Sequence, residues 1–307
     1  MDLHSGLPYW IIRNSLWDYF HPLEKDLSTD VVIVGSGITG ALMAHELCHA
    51  GIKCCIVDKR SIATGSSAAS TALLQYEIDV PLCRMAKIIG EENAATAYHA
   101  CLQSISDIKR VLEETGVNAG FEQLPSLFYA SSAADNKLLE QEHEIRQKHK
   151  LPVNLLEKKK IREEYKVKTP GNALINEASA QMDAYRAATG LLAYHIKESG
   201  LKVFTHTSIK ECIETSDGCI MTTDRGHKIK CGYVIIATGF EAGQFLPQKI
   251  MDLTSTYALV SHPVASEHLW PTHCLIWETA DPYLYIRTTD KNRIIVGGED
   301  EKFSDPQ

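Results

Sequence analysis

Val31-Val32-Ile33-Val34 is an unbroken run of β-branched apolar residues, the pattern of a strand buried on both faces of a parallel sheet. Gly35 to Gly40 follow, then helical spacing to about Ala50, with Gly51 where a helix-ending glycine is expected. Lys53 to Asp58 reads as a second strand, so the chain opens β-α-β with a short crossover. Residues 61 to 72 are Ser, Ala, Thr and Gly almost throughout. Residues 83 to 115 carry helical periodicity. A strand pair is predicted over Phe121 to Ser131, a charged surface helix over Asp135 to Lys148, and a further helix over 184 to 199, stopped by Gly200. Asp217-Gly218 and Arg225-Gly226 mark turns between short strands. They lead into Tyr233-Val234-Ile235-Ile236-Ala237-Thr238-Gly239, a buried strand, and 253 to 298 reads mostly as β-structure. Upstream, Tyr9, Trp10, Trp17, Tyr19 and Phe20 make residues 1 to 29 too apolar for a free tail. That arm is expected to pack on the body.

A β-α-β start and a late returning strand around mixed material predict an α/β fold. In it a Rossmann-type cofactor-binding domain is interleaved with a mixed-sheet α+β substrate domain. The expected division is an arm over 1–29, a discontinuous cofactor domain over 30–82, 172–240 and 291–307, and a substrate domain over 83–171 and 241–290. A chain of 307 residues, 44% hydrophobic, is long enough to bury such a pair of cores. The net charge of -8 offers no basic field for nucleic acid or an anionic membrane. The run Lys158-Lys159-Lys160, flanked by Glu157, Glu163 and Glu164, reads as a solvated helix face. Nine scattered Cys without Cys-x-x-Cys suggest reduced thiols and no structural zinc. No stretch approaches the ~18 consecutive apolar residues of a membrane span, and Arg13 interrupts the short apolar run Trp10-Ile11-Ile12. A cytoplasmic protein is expected; the oligomeric state is not encoded in any pattern.

Gly35-Ser36-Gly37-Ile38-Thr39-Gly40 is Gly-x-Gly-x-x-Gly. Gly35 is expected to make the tight turn, Gly37 to admit a pyrophosphate, and Gly40 to pack the helix on the strand. The helix start then presents N–H groups and a positive dipole end. Asp58 stands at the end of the second strand, where an acidic side chain accepts from a ribose. The hexapeptide alone also fits a ligand-free turn. The strand before it, the helix after it and Asp58 decide for a dinucleotide, with NADP disfavoured by Asp58 and NAD still open.

His45-Glu46-Leu47-Cys48-His49 matches the zinc-protease pattern His-Glu-x-x-His. It lies in the helix after the glycine loop. At about 100° per residue, Gly40, Ala44, Leu47 and Gly51 share the sheet-facing side. His45 and His49 are therefore expected to point outward and no metal site is assigned.

Several ordered segments together resemble the D-amino-acid oxidase family of FAD-dependent oxidoreductases, which includes glycine, sarcosine and γ-glutamylputrescine oxidases. They are Val31 to Gly40 with Asp58; the small-residue loop Ile62 to Leu74; Gln181-Met182-Asp183 with the next helix and Lys202-Val203-Phe204; Ala237-Thr238-Gly239; and Arg293 to Glu299. The Pro8-Tyr9-Trp10 arm is most similar to the γ-glutamylputrescine oxidase branch. The resemblance implies FAD as cofactor. It carries cofactor contacts onto Gly35, Ser36, Gly37, Ile38, Thr39 and Gly40, onto Asp58 with Lys59 and Arg60, and onto Ser66 and Ser67 at the pyrophosphate. Thr71, Ala72, Leu73 and Leu74 are placed beside the isoalloxazine. Thr207, Ser208 and Ile209 are placed at the adenine, and Ala237, Thr238 and Gly239 where the last strand returns. In the family a further C-terminal segment follows the Gly-Gly-Glu strand, so the chain ending at Gln307 is expected to be truncated.

The implied chemistry is hydride transfer from the carbon bearing an amine to flavin N5, giving an imine that water hydrolyses. The cofactor does the hard step and no side-chain base is obligatory. The substrate is expected to be a small amine or amino acid, with dioxygen or an unspecified acceptor taking the electrons. Weak catalytic candidates are Tyr257, Tyr285 and Arg287, with Tyr283 beside them; Arg287 could clamp a carboxylate, or all could be outward positions of an amphipathic strand. Two rival readings stand: a flavin dehydrogenase of a hydroxy acid or polyol, and a flavin-binding fragment without turnover.

Overall fold

A computed structural model describes residues 3–17, 19–246, 248–249 and 252–302. In chain order the elements are α1 (Tyr9–Asn14), β1 (Leu27–Val34), α2 (Ile38–His49), β2 (Cys54–Val57), α3 (Ser66–Ala69), β3 (Leu73–Leu74), α4 (Leu82–Ile89), α5 (Glu91–Thr115), β4 (Glu122–Tyr129), α6 (Asn136–Lys148), β5 (Asn154–Leu156) and the short turn α7 (Lys158–Lys160). Then come β6 (Ala173–Gln181), α8 (Ala184–Glu198), β7 (Lys202–Phe204), β8 (Ile209–Thr215), β9 (Gly218–Thr223), β10 (Lys228–Ile236), β11 (Ser255–Val260), β12 (Leu275–Glu278), β13 (Leu284–Thr288) and β14 (Ile294–Glu301).

Among the described residues two sheets form. One has six strands in the order β7-β2-β1-β10-β9-β8; the other has eight, running β11-β14-β13-β12-β4-β6-β3 with β5 beside β6. In the first, β1 lies parallel between β2 and β10, and Val31 to Val34 are all buried, as the apolar run predicts. The hairpins at Asp217-Gly218 and Arg225-Gly226 join β8, β9 and β10. In the second sheet β4 pairs antiparallel with β6 and parallel with β12. Ala173–Gln181 and Ile294–Glu301, grouped with the glycine-loop unit by sequence, pair within this eight-stranded sheet.

The arm packs as expected. Trp10 is 2% exposed and joins α2, α3 and α8 in one core, while Leu23 enters the core on the other face of the six-stranded sheet. Trp10 Nε1 donates to Ser70 O at 2.7 Å, and the bidentate pair Arg13–Asp290 ties the arm to the β13–β14 turn.

Four expectations change. Residues 121 to 131 hold one strand, β4, whose partner β6 lies some fifty residues on; long-range pairing took the place of the local hairpin. Helix α6 is no mere surface helix: Leu139, Glu142 and Arg146 are fully buried. Glu142 accepts from the N–H groups of Leu82 and Cys83 at 2.9 and 2.8 Å, capping α4, whose own N-cap is Pro81. Arg146 bridges Glu142 and Glu77. A buried helix start needs such an acceptor. His45 points inward, not outward: it is 5% exposed, and its Nδ1 lies 3.0 Å from His195 Nε2 on α8. Helix α2 is covered on two sides, by sheet and by α8, so a two-sided helical wheel misplaced it; His49 is exposed. Finally, Tyr233 in β10 is 75% exposed, although Ile229 and Cys231 of the same strand are buried.

Candidate functional site

The turn after β1 is held by backbone. Gly35 N donates to Val57 O, and Ala237 N to Val34 O, both at 2.8 Å. This brings the ends of β2, β1 and β10 together. Gly35 has φ +111°, and a Cβ there would lie 2.3 Å from Ala237 O; only glycine fits. A Cβ on Gly40 would lie 2.0 Å from Gly35 O, so Gly40 packs α2 against the turn itself. On Gly37 a Cβ would meet Ser67 Oγ at 2.9 Å. The closest constraint at Gly37 is thus α3, which presses against the loop: Ser67 Oγ accepts from Ile38 N at 2.9 Å, serving one orphan donor of α2.

Asp58 anchors the loop from the other side. Its Oδ2 accepts from Ser36 N at 2.8 Å and Ser36 Oγ at 2.6 Å, and its Oδ1 from Arg60 N at 2.8 Å. Ser36 is fully buried behind the turn. Around this scaffold lies a cavity of about 310 Å³. Gly35, Gly37, Ile38, Thr39, Asp58, Lys59, Arg60, Ser66, Ser67, Ser208, Ile209, Ala237, Thr238 and Gly239 all line it. Residues from five separate stretches of sequence therefore meet on one hollow. Two of its hydroxyls, Ser66 Oγ and Thr238 Oγ1, are buried without a partner among the described residues. Buried polar atoms are normally satisfied, so a ligand with polar oxygens or nitrogens fits the space.

Sequence reasoning missed other lining residues. Leu3, Ser70, Gln244 and Phe245 line the cavity, as does Glu241, 5% exposed. Lys59 Nζ donates to Glu241 at 2.6 Å and Arg60 Nη1 at 2.9 Å. Burial opposes the charge on Glu241, but the hydrogen bonds from Arg60 and Lys59 prevail and hold its carboxyl down to about 2. Nothing in the local sequence signals this pairing, since its members stand some 180 residues apart. Ser36 and Gly40 sit behind the cavity and do not line it.

Thr71, Ala72, Leu73 and Leu74 lead away from the hollow to the edge of the eight-stranded sheet, where Leu73 and Leu74 pair with Gln181 and Ala180. Of the catalytic candidates, Tyr283 and Tyr285 lie together, with ring centres 5.7 Å apart. Tyr257 lies on edge strand β11, 51% exposed, with its hydroxyl toward Glu301. Tyr283 donates to Asp79 at 2.8 Å. Tyr285 is half-buried and lies over Gly297, where a Cβ would be 2.4 Å from its ring. Arg287 is 3% exposed and is engaged by backbone carbonyls. Its Nη1 donates to the carbonyls of Thr71, Ala72 and Met182, each at 2.9 Å, and its Nε to Thr288 O at 3.2 Å. The guanidinium also lies 5.5 Å from the centre of the Trp10 ring. Burial pushes its pKa down to about 10.

Among the described residues no group of three or more His, Cys, Asp or Glu could hold a metal ion, and no helix is long and apolar enough to cross a membrane. The family model described as DAO, FAD dependent oxidoreductase, matches residues 30–307. Over 232 residues the chain is 23% identical to "Putative Rieske 2Fe-2S iron-sulfur protein YhfW" of Bacillus subtilis (strain 168), covering 76% of this chain and 44% of that protein. The chain therefore spans less than half the length of that curated relative. Among solved structures it is similar to L-proline dehydrogenase from P. horikoshii, with TM-score 0.71, 21% identity, and 88% of this chain and 70% of that chain covered. Glycine oxidase from Geobacillus kaustophilus matches with TM-score 0.71 and 20% identity over 90% of this chain and 72% of that one. L-amino acid deaminase from Proteus vulgaris matches with TM-score 0.72 and 17% identity over 96% and 73%. At these identities the structural likeness shows the fold.

Proposed function

The chain belongs to the DAO family of FAD-dependent oxidoreductases, and we propose that it oxidises the C–N bond of a small amine or amino acid. One observation carries the cofactor part of this reading. The glycine turn, Asp58 and the unpartnered hydroxyls of Ser66 and Thr238 border a single cavity. Those residues fit FAD. The turn and the start of α2 would face the pyrophosphate, Asp58 retains lone pairs for a ribose, and Ser66 and Thr238 gain the partners they lack. Ser208 and Ile209 would take the adenine side, and Thr71 to Leu74 the ring side.

When bound, FAD supplies a two-electron acceptor for hydride. The protein's part is to place the substrate carbon and exclude water. We assign the six-stranded sheet to the cofactor and the eight-stranded sheet to the substrate. The amine reading draws on relatives of the same fold whose names specify proline, glycine and L-amino acids. Tyr285 and Arg287 stay candidates for the substrate side.

The test is anaerobic mixing of the flavin-loaded protein with panels of amino acids, amines, hydroxy acids and polyols. Loss of the oxidised flavin's visible absorbance with an amine or amino acid is expected, with ammonia or a smaller amine released. Reduction by a hydroxy acid or polyol alone would replace this reading. A protein that binds NAD and no flavin would remove it. Peroxide release in air separates turnover by dioxygen from turnover by another acceptor.

A further inference from the structure

All nine cysteines are free, and two of them face each other across the crossover of the glycine-loop unit. Cys48 is in the last turn of α2 and Cys54 begins β2. Between them Gly51, at φ +73°, reverses the chain, with Gly51 N on Cys48 O and Ile52 N on Leu47 O. This is the hydrogen-bond pattern of a glycine-terminated helix. The reversal brings the two Sγ atoms to 3.8 Å, and both side chains are half-buried.

We propose that Cys48 and Cys54 are an oxidation site, a dithiol that hydrogen peroxide converts to an intramolecular disulfide. The Cys48 thiolate attacks one peroxide oxygen, the O–O bond breaks, and Cys48 sulfenic acid and hydroxide form. The Cys54 thiol then attacks the sulfenic sulfur, the S–S bond forms, and hydroxide leaves; with the Cys54 proton and one from solvent the products are a disulfide and two waters. Two thiols are oxidised by two electrons and one peroxide is reduced.

The surroundings support Cys48 as the attacking atom. Hydrogen bonds from the side chains of Cys54 and Ser199 pull its pKa down to about 7 against the opposing effect of burial, and Ser199 lies 3.1 Å from His195 Nδ1. Burial pushes the thiols of Cys55, Cys83, Cys101, Cys231 and Cys274 up, and the same holds for the exposed Cys212. Thiolate character, partial exposure and a resolving neighbour together select oxidation sites, and Cys48 has all three. Disulfide closure to about 2.05 Å requires side chains already directed at each other, as these are.

Limited hydrogen peroxide is added to the folded, flavin-loaded protein, followed by thiol counting and non-reducing peptide mapping. The expected result is loss of two thiols per chain, one cross-linked peptide pair joining Cys48 to Cys54, and reversal by dithiothreitol. Cys54→Ser should instead accumulate a sulfenic acid at Cys48 that dimedone labels, and Cys48→Ser should give no intramolecular link. Oxidation first at Cys212, a link between chains, or both thiols surviving when other cysteines are consumed would overturn the proposal.

Discussion

The cavity beside the six-stranded sheet and the face of the eight-stranded sheet are built by different means. The cavity is shaped by main chain: Gly35, Gly37 and Gly40 set the turn, and backbone hydrogen bonds lock the ends of three strands. The other region is shaped by side chains that satisfy one another: Arg287 on three carbonyls, Tyr283 on Asp79, Trp277 on Ser126. A site made of backbone constrains its sequence locally, because only glycine tolerates the required approach. A site made of side chains depends on partners far away in the chain.

The largest effect that separates the two regions is expected at Gly40 and Gly35. A methyl group at either meets a backbone oxygen, at 2.0 and 2.3 Å, and neither oxygen can move without breaking the strand-end contacts. Gly40→Ala should lower stability by about 3 kcal/mol and weaken FAD binding by at least about tenfold, or ~1.4 kcal/mol. Gly37→Ala meets only a side-chain oxygen, so it should cost about 1 kcal/mol of stability. Urea unfolding and flavin titration of the three variants check the order. Equal losses at Gly37 and Gly40 would show that the turn is not held as described.

This contrast explains what was legible in the sequence. The apolar run at Val31, the glycine spacing, Asp58 and the return at Ala237 each carry a local rule, and all but Ser36 and Gly40 of the residues expected there from the turn to Asp58 border the cavity. The arm was legible through its aromatics. Glu241 was not, because its role exists only once Lys59 and Arg60 reach it. His45 was misplaced because periodicity reports which face is apolar and cannot report that α8 covers a polar one. Glu142 and Arg146 look like surface charges in a charged helix, and only tertiary pairing makes them interior. The backbone contacts of Arg287 are hidden in the sequence for the same reason.

The second prediction tests the side-chain region at Arg287. If its guanidinium serves to hold the Thr71–Ala72 carbonyls, Arg287→Met removes the donor to three carbonyls, of which Ala72 O keeps a bond from Met182 N at 3.4 Å. Hydrogen bonds to a charged group contribute about 1.5–3 kcal/mol each, with losses that do not add. The variant should lose about 3 kcal/mol of unfolding free energy, with Arg287→Lys recovering part of it. A variant of unchanged stability whose only defect is a raised KM for a carboxylate substrate would establish the clamp and erase the distinction between the two regions.

The smallest expected effect is at Glu241, where the cavity uses side-chain charge paired with Lys59 and Arg60. Its carboxyl is held from an ordinary value of 4.5 down to about 2. A group whose pKa is depressed on folding stabilises the protein above its unfolded pKa, and that contribution falls as pH drops through the folded one. The window is therefore pH 4.5 to about 2. Lys59 and Arg60 are 36% and 28% exposed, so solvent and salt screen the pairing and the full shift overstates it. Glu241→Gln should lower stability at pH 7 by about 1 kcal/mol, a fraction of what the shift alone implies. The deficit should shrink steadily below pH 4.5, vanish near pH 2, and narrow at high salt. Unfolding free energies of the two proteins across that range measure it. A deficit that is independent of pH would mean that Glu241 acts by packing alone, and that the cavity owes nothing to its ion pairs.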